Sequence, residues 1–317
     1  MLSRVANCIY WMSRYVERAE NIARFMEVNS HLTLDMAGEE NTQWMPLVTI
    51  TGDEALFLRK YKSATQENVI QFMAFDRDNP NSILTCLNAA RENARAVRSS
   101  ITTDMWEQIN KMYLMVNAAA RKDDVLYEPN EFYTALKNGS HLFIGLTDVT
   151  MSHGEAWHFS RLARTIERAD KTSRLLDVKY FILLPTVEHV GLSVDDIQWT
   201  ALLRSASAFE MYRQHYGTLL PNQIVDFLLL NREFPRAVLY GLCKAEESLR
   251  AITGTREGMF SNPAEQRLGQ LRSDLLYMRV EEIIAHGLHE FLDTFQMRLN
   301  GVGEAIHQTF FELRPIR

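Results

Sequence analysis

The sequence predicts an all-α protein: a multi-helix bundle built from two tandem copies of one design, with internal pseudo-twofold character. Three observations carry this expectation. Apolar residues recur at helical spacing along most of the chain. Only 14 Gly and 8 Pro punctuate 317 residues, so few breaks interrupt the helical pattern. Finally, a charged, helix-forming phrase is written twice, as "RYVERAENIAR" at 14–24 and "RTIERADKTSR" at 164–174.

The first helix is read from its apolar stripe. At about 100° per residue, Val5, Ile9, Met12, Tyr15, Val16, Ala19, Ile22, Ala23 and Met26 share one face. Arg14, Glu17, Arg18, Asn21 and Arg24 fall on the other, with Tyr10, Trp11, Phe25 and Val28 among or beside them. A purely solvated face is polar throughout, and this one is not, which predicts burial on both sides. The second copy repeats the arrangement, with Trp157, Leu175 and Val178 around Arg164, Glu167, Arg168 and Arg174. An offset of 150 pairs Glu17 with Glu167, Arg14 with Arg164, Arg18 with Arg168 and Arg24 with Arg174.

Further along the offset becomes 155. "TQWMPLV" at 42–48 then faces "IQWTALL" at 197–203, and Tyr61 faces Tyr216. "VIQF" at 69–72 faces "IVDF" at 224–227, and Pro80 faces Pro235. The change of offset implies a longer loop in the second copy, around "LLPTVEHVGLSVDD". Two copies, 1–150 and 151–317, packed as one compact unit, account for the pattern. Pro80 and Pro235 each stand where a helix can begin, because a first-turn proline loses no intrahelical bond. "KNGSH" at 137–141 and "NGVG" at 300–303 are loops or kinks in late helical segments.

The repeated phrase also carries the candidate site. Arg14–Glu17 and Glu17–Asn21 have the spacing to touch within one helix. A pseudo-twofold brings Glu17 of one copy to Arg168 of the other, and Glu167 to Arg18. Three arrangements fit this face: an ion-pair network that fixes helix register, a partly open pocket whose guanidinium groups hold a carboxylate or phosphate, and a solvated surface. The first is favoured. The candidate residues are Arg14, Glu17, Arg18, Arg24, Arg164, Glu167, Arg168 and Arg174.

Other chemistries find less support. A formal net charge of -6 disfavours non-specific nucleic-acid binding. Cys8, Cys86 and Cys243 are isolated, so neither a disulfide framework nor a thiolate zinc site is expected. There is no phosphate-binding loop of the GxxxxGK[ST] type and no GxSxG elbow, and no cofactor is expected. "HGLHEF" at 286–291 lacks the second zinc-protease histidine, which leaves His286 and His289 as surface or interface residues. "GEAWH" at 154–158 and "GEAIH" at 303–307 carry Glu-x-x-His, the spacing of di-metal carboxylate bundles. They occupy non-equivalent places in the two copies, so the likeness is read as coincidence and no metal is expected. Glu39–Glu40, Asp123–Asp124, Glu246–Glu247 and Glu281–Glu282 are adjacent pairs that diverge on a helix. Apolar runs are too short to span a bilayer, and the opening residues lack a signal-peptide core; a cytoplasmic location is expected, with oligomeric state open.

The opening "MLSRVANCIYWMSRYVERAENIAR", together with the second "ERAD", resembles the bacterial alpha-E family, an all-helical group named for its Glu-Arg motif. Asn7 and Ser13 stand where that family's pattern has an acidic residue and a glycine. The resemblance implies genes encoded beside circularly permuted ATP-grasp and transglutaminase-like proteins, and hence a role in amide-bond formation or peptide modification. The leading functional expectation is a non-catalytic partner or substrate-presenting component of such a system. The alternatives are an enzyme using the Arg/Glu cluster on an anionic substrate, with Glu17 or Glu167 as acid–base, and a di-metal carboxylate protein.

Overall fold

A computed structural model describes residues 1–35, 44–121, 129–182 and 193–312. All regular structure among them is helical. α1 (Ser3–Asp35) is followed by three short helices, α2 (Met45–Thr51), α3 (Glu54–Lys60) and α4 (Gln66–Ile70), the last running into a π-helical turn at Gln71–Phe75. Then come α5 (Ile83–Ala96), α6 (Thr103–Ala119) and α7 (Pro129–Thr150). α8 (Glu155–Ile182) opens the second series, followed by α9 (Ser193–Ser205), α10 (Phe209–Tyr216) and α11 (Pro221–Leu230). α12 (Val238–Thr253), α13 (Pro263–Tyr277), α14 (Val280–His286) and α15 (Leu288–Ile306) complete it, with a π turn at His307–Phe311.

The helices begin where local chemistry lets them. Ser82, Thr102 and Asn262 each accept a hydrogen bond from the backbone N–H three residues on, capping α5, α6 and α13. Pro46 in the first turn of α2 makes that helix start later than α9, which carries Ala201 at the same offset and begins at Ser193. Pro80 and Pro235 differ from the sequence expectation. They lie in turns ahead of α5 and α12, whose caps are Ser82 and Ala237. Of the two alternatives for "KNGSH" and "NGVG", loops are ruled out, since both segments are continuous helix in α7 and α15. Gly139 is there for close approach, since a Cβ would meet Met112 Cγ at 3.0 Å and Gln108 Nε2 at 3.2 Å. The expected long loop at 183–196 lies outside the described residues up to 192, as do Glu39–Glu40, Asp123–Asp124 and the side chain of Val178.

α1 and α8 form the spine. Pairs joining them advance together along both helices, from Met1–Glu155 through Ser13–Ser160 to Glu17–Arg168, so the two run parallel. α5 and α7 pack on α1, while α12 and α15 pack on α8. α6 and α13 close each group of four. The short helices cross over: α2 packs on α8, and α9 on α1. The apolar stripe of α1 is buried as expected from Ile9 to Met26, with Val5 and Tyr15 at its partly buried edge. Tyr10 and Phe25, on the charged side, are buried too. No helix among the described residues is long and apolar enough to cross a membrane.

Candidate functional site

The charged faces of α1 and α8 meet each other. Glu167 accepts from Arg14 (Nε, 2.8 Å) and from Arg18 (Nε, 2.7 Å; Nη2, 3.1 Å). Reciprocally, Glu17 accepts from Arg168 through Nε at 2.7 Å and Nη2 at 2.9 Å. Bidentate guanidinium contacts satisfy both carboxylate oxygens at once, which is what burial demands. Glu17 retains 1% exposure and Glu167 none, so no open cleft reaches either carboxylate.

A second tier lies further along the same helices. Glu20 accepts from Arg236 Nη2 at 2.8 and 3.0 Å, and from Arg24. Arg236 also donates to Asn21 Oδ1 at 3.0 Å. In the other half, Asp170 takes Arg174 (Nε, 3.0 Å) and Lys171 (3.1 Å). Arg24 reaches across to Ser207, which has a left-handed φ of 49°. Its counterpart Arg174 lies beside Gly52 at φ 79°, where a Cβ would come 3.8 Å from Nη1.

Ionisation follows from these contacts. Burial works against charge on Glu167, but Arg18 and Arg14 outweigh it and hold the carboxyl well below the ordinary range. Glu20 is likewise opposed by burial and held low by Arg236 and Arg24, and Asp170 by Lys171 and Arg174. Burial, joined by repulsion from Arg168, lowers the Arg164 guanidinium. Burial pushes the Cys86 thiol up to about 12, which removes it as a nucleophile at neutral pH.

All eight residues expected from sequence lie along this seam, but not all as their spacing suggests. Arg14 does not pair with Glu17 on its own helix. Arg168 occupies that carboxylate, and Arg14 crosses to Glu167. Arg164, the counterpart of Arg14, does not mirror it; its nearest carboxylate is Asp148 at 3.7 Å, which also accepts from Trp157 Nε1 at 3.1 Å. Arg236 and Lys171 escaped the sequence reading. Arg236 follows Pro235 in a turn with no helical period to place it, and Lys171 has only Asn21 at the matching position.

The remaining motifs are dispersed. His289 Nδ1 lies 2.7 Å from Asp177 Oδ1, which places it at an interface between helices. Glu155 holds the N-terminal amine at 2.6 Å. Among the described residues no group of three or more His, Cys, Asp or Glu side chains is placed to hold a metal ion.

A family model described as a predicted alpha-helical domain with a conserved ER motif matches residues 1–311. An uncharacterised protein of Mycobacterium bovis is 23% identical, and it aligns with 96% of this chain but only 36% of its own length. Two uncharacterised proteins of Mycobacterium tuberculosis stand at 23% and 22% over the same shares. The chain thus spans little more than a third of these relatives. No solved structure matches it. The sequence carries Glu-Arg at 17–18 and again at 167–168, and with this match over nearly its whole length the chain belongs to the Alpha-E family.

Proposed function

We propose that this protein is a non-catalytic partner, or substrate-presenting component, of an ATP-grasp-linked amide-bond-forming or peptide-modifying system. The observation that carries this reading is the sealing of Glu17 and Glu167. A carboxylate wrapped by bidentate guanidinium groups and closed to solvent is a poor proton shuttle, whereas as a brace between two long helices it is well placed. Two further facts support it. The relatives carry most of their length outside the matched region, which suits a module working beside other parts. The helices also keep a common offset: α3, α4 with its π turn, and α5 begin 155 residues before α10, α11 and α12. That suits two tandem copies building one rigid body. The ATP-grasp and transglutaminase-like partners rest on the family resemblance, and a cytoplasmic setting goes with them.

The test is co-purification with the neighbouring ATP-grasp protein, then ATP turnover with and without this chain, with amino acids and short peptides as acceptors. Stable association with altered turnover is expected. No association and unchanged turnover overturn the reading.

A further inference from the structure

One arginine of the seam is only half committed. Arg14 gives Nε and Nη2 to Glu167, at 2.8 and 2.7 Å, and its Cζ lies 5.2 Å from the Trp11 ring centroid, while among the described residues its Nη1 has as hydrogen-bond partner only the Tyr10 hydroxyl at 3.5 Å, a weak contact. In the other half, Asp148 faces the equivalent Arg164. At the 155 offset the counterpart of Asp148 is Gly303. A Cβ there would lie 4.0 Å from Arg14 Nη1, with no other described atom beyond its chain neighbours and its own helix backbone so close. Where one half places a carboxylate against its arginine, the other leaves space.

That space is a cavity of about 510 Å³, within the range of roughly 300–1,000 Å³ usual for small-ligand sites. Trp11 and Phe311 supply aromatic walls, and the π turn at His307–Phe311 forms part of its lining. Such turns recur at functional sites. Glu304 and Glu312 also line it, and neither makes an ion pair with a described residue. Asp170 lines it as well, but its carboxylate is held by Lys171 and Arg174.

Charge decides what fits. A plain anion would meet two uncompensated carboxylates against one guanidinium already shared with Glu167. A plain cation would meet the Nη1 edge of Arg14. A molecule with both groups satisfies each wall. We propose that this cavity binds a zwitterionic amine-carboxylate, a free amino acid or short peptide, with its carboxylate on Arg14 Nη1, its ammonium at Glu304 and Glu312, and its side chain along Trp11 and Phe311. This names the substrate class of the presenting role and rests on that reading.

The experiment is calorimetric titration of the full chain with L-leucine and glycyl-leucine, with cadaverine and succinate as single-charge controls. Saturable binding of the zwitterions alone is expected, weakened about tenfold or more by Glu304→Gln, which removes a charged partner. Gly303→Leu fills the cavity and is expected to abolish binding; Gly303→Ala, which the 4.0 Å clearance admits, is a milder check, and thermal melts verify that each variant is folded. The assignment is overturned if no zwitterion binds at millimolar concentration, if the variants leave binding unchanged, or if cadaverine or succinate binds as well. Association with the ATP-grasp protein is measured in parallel. Association without zwitterion binding sinks the ligand and leaves the partner reading; zwitterion binding without association does the reverse.

Discussion

Glu167 is fully buried and answers to two guanidinium groups from the other long helix. Replacing it by Gln keeps the shape but leaves Arg14 and Arg18 short of a counter-charge. Breaking a buried pair from one side costs about 3–5 kcal/mol, so Glu167→Gln should lower the unfolding free energy by that order in urea titration. A loss under about 1 kcal/mol would mean that the seam is hydrated and weak. Acid should act on the same groups. The carboxyls of Glu167, Glu20 and Asp170 are held low in the folded chain, so the unfolded chain takes up their protons first. Their stabilisation is complete above the unfolded values, near pH 4–4.5, and drains away as pH falls below them. Urea midpoints measured from pH 7 to pH 3 should stay flat and then drop, with a shallower drop in Glu167→Gln.

At the scale of elements, the two halves solve one electrostatic problem by different routes. Near Glu20 the helix carries a neutral Asn21 and the turn ahead of α12 supplies the cation, Arg236. Near Asp170 the helix carries Lys171, and the matching turn position is the neutral Asn81, which accepts from Arg18 at 2.6 Å. The positive charge stands in the turn in one half and on the helix in the other. Arg236→Asn should therefore destabilise the protein by about 2 kcal/mol or more, and adding Asn21→Lys should restore at least half of that loss. A double variant no better than the single would show that the exchange is not compensatory. These elements also show what the sequence could reveal. The reciprocal Glu17–Arg168 and Glu167–Arg18 contacts were legible because two helical phrases at one offset constrain each other. The destination of Arg14 was not, since it depends on how far α1 slides along α8. The reach of Arg236 was not either, because a turn residue has no period. Gly139 and Gly303 look alike as breaks in a helical pattern, yet one admits a neighbouring helix and the other leaves a cavity.

For the molecule as a whole, the ion pairs and the crossed packing of α2 on α8 and α9 on α1 tie the first half to the second. Each half alone would expose the charged face that the other half buries. Calorimetry should accordingly show a single unfolding transition for the chain. Residues 1–150 expressed alone should lack cooperative unfolding, and co-expression with 151–317 should restore it. Two separate transitions would instead assign independent stability to each half. The all-helical character could be read from composition and spacing alone. The parallel sense of α1 and α8 could not, because periodicity marks which face a helix buries and is silent on the direction of its neighbour.

That parallel sense has a consequence for how the protein is made. Two helices that run the same way cannot be joined by a tight turn; the chain must travel back along their full length first. The partners of Glu17 and Arg18 are accordingly synthesised about 150 residues later, which at about 5–20 residues per second is roughly 8–30 s. Within that interval α5 and α7 become available to pack on α1, but its charged stripe still lacks the face of α8 that finally covers it. The spine that gives the finished bundle its rigidity cannot assemble until about half of the chain has been made.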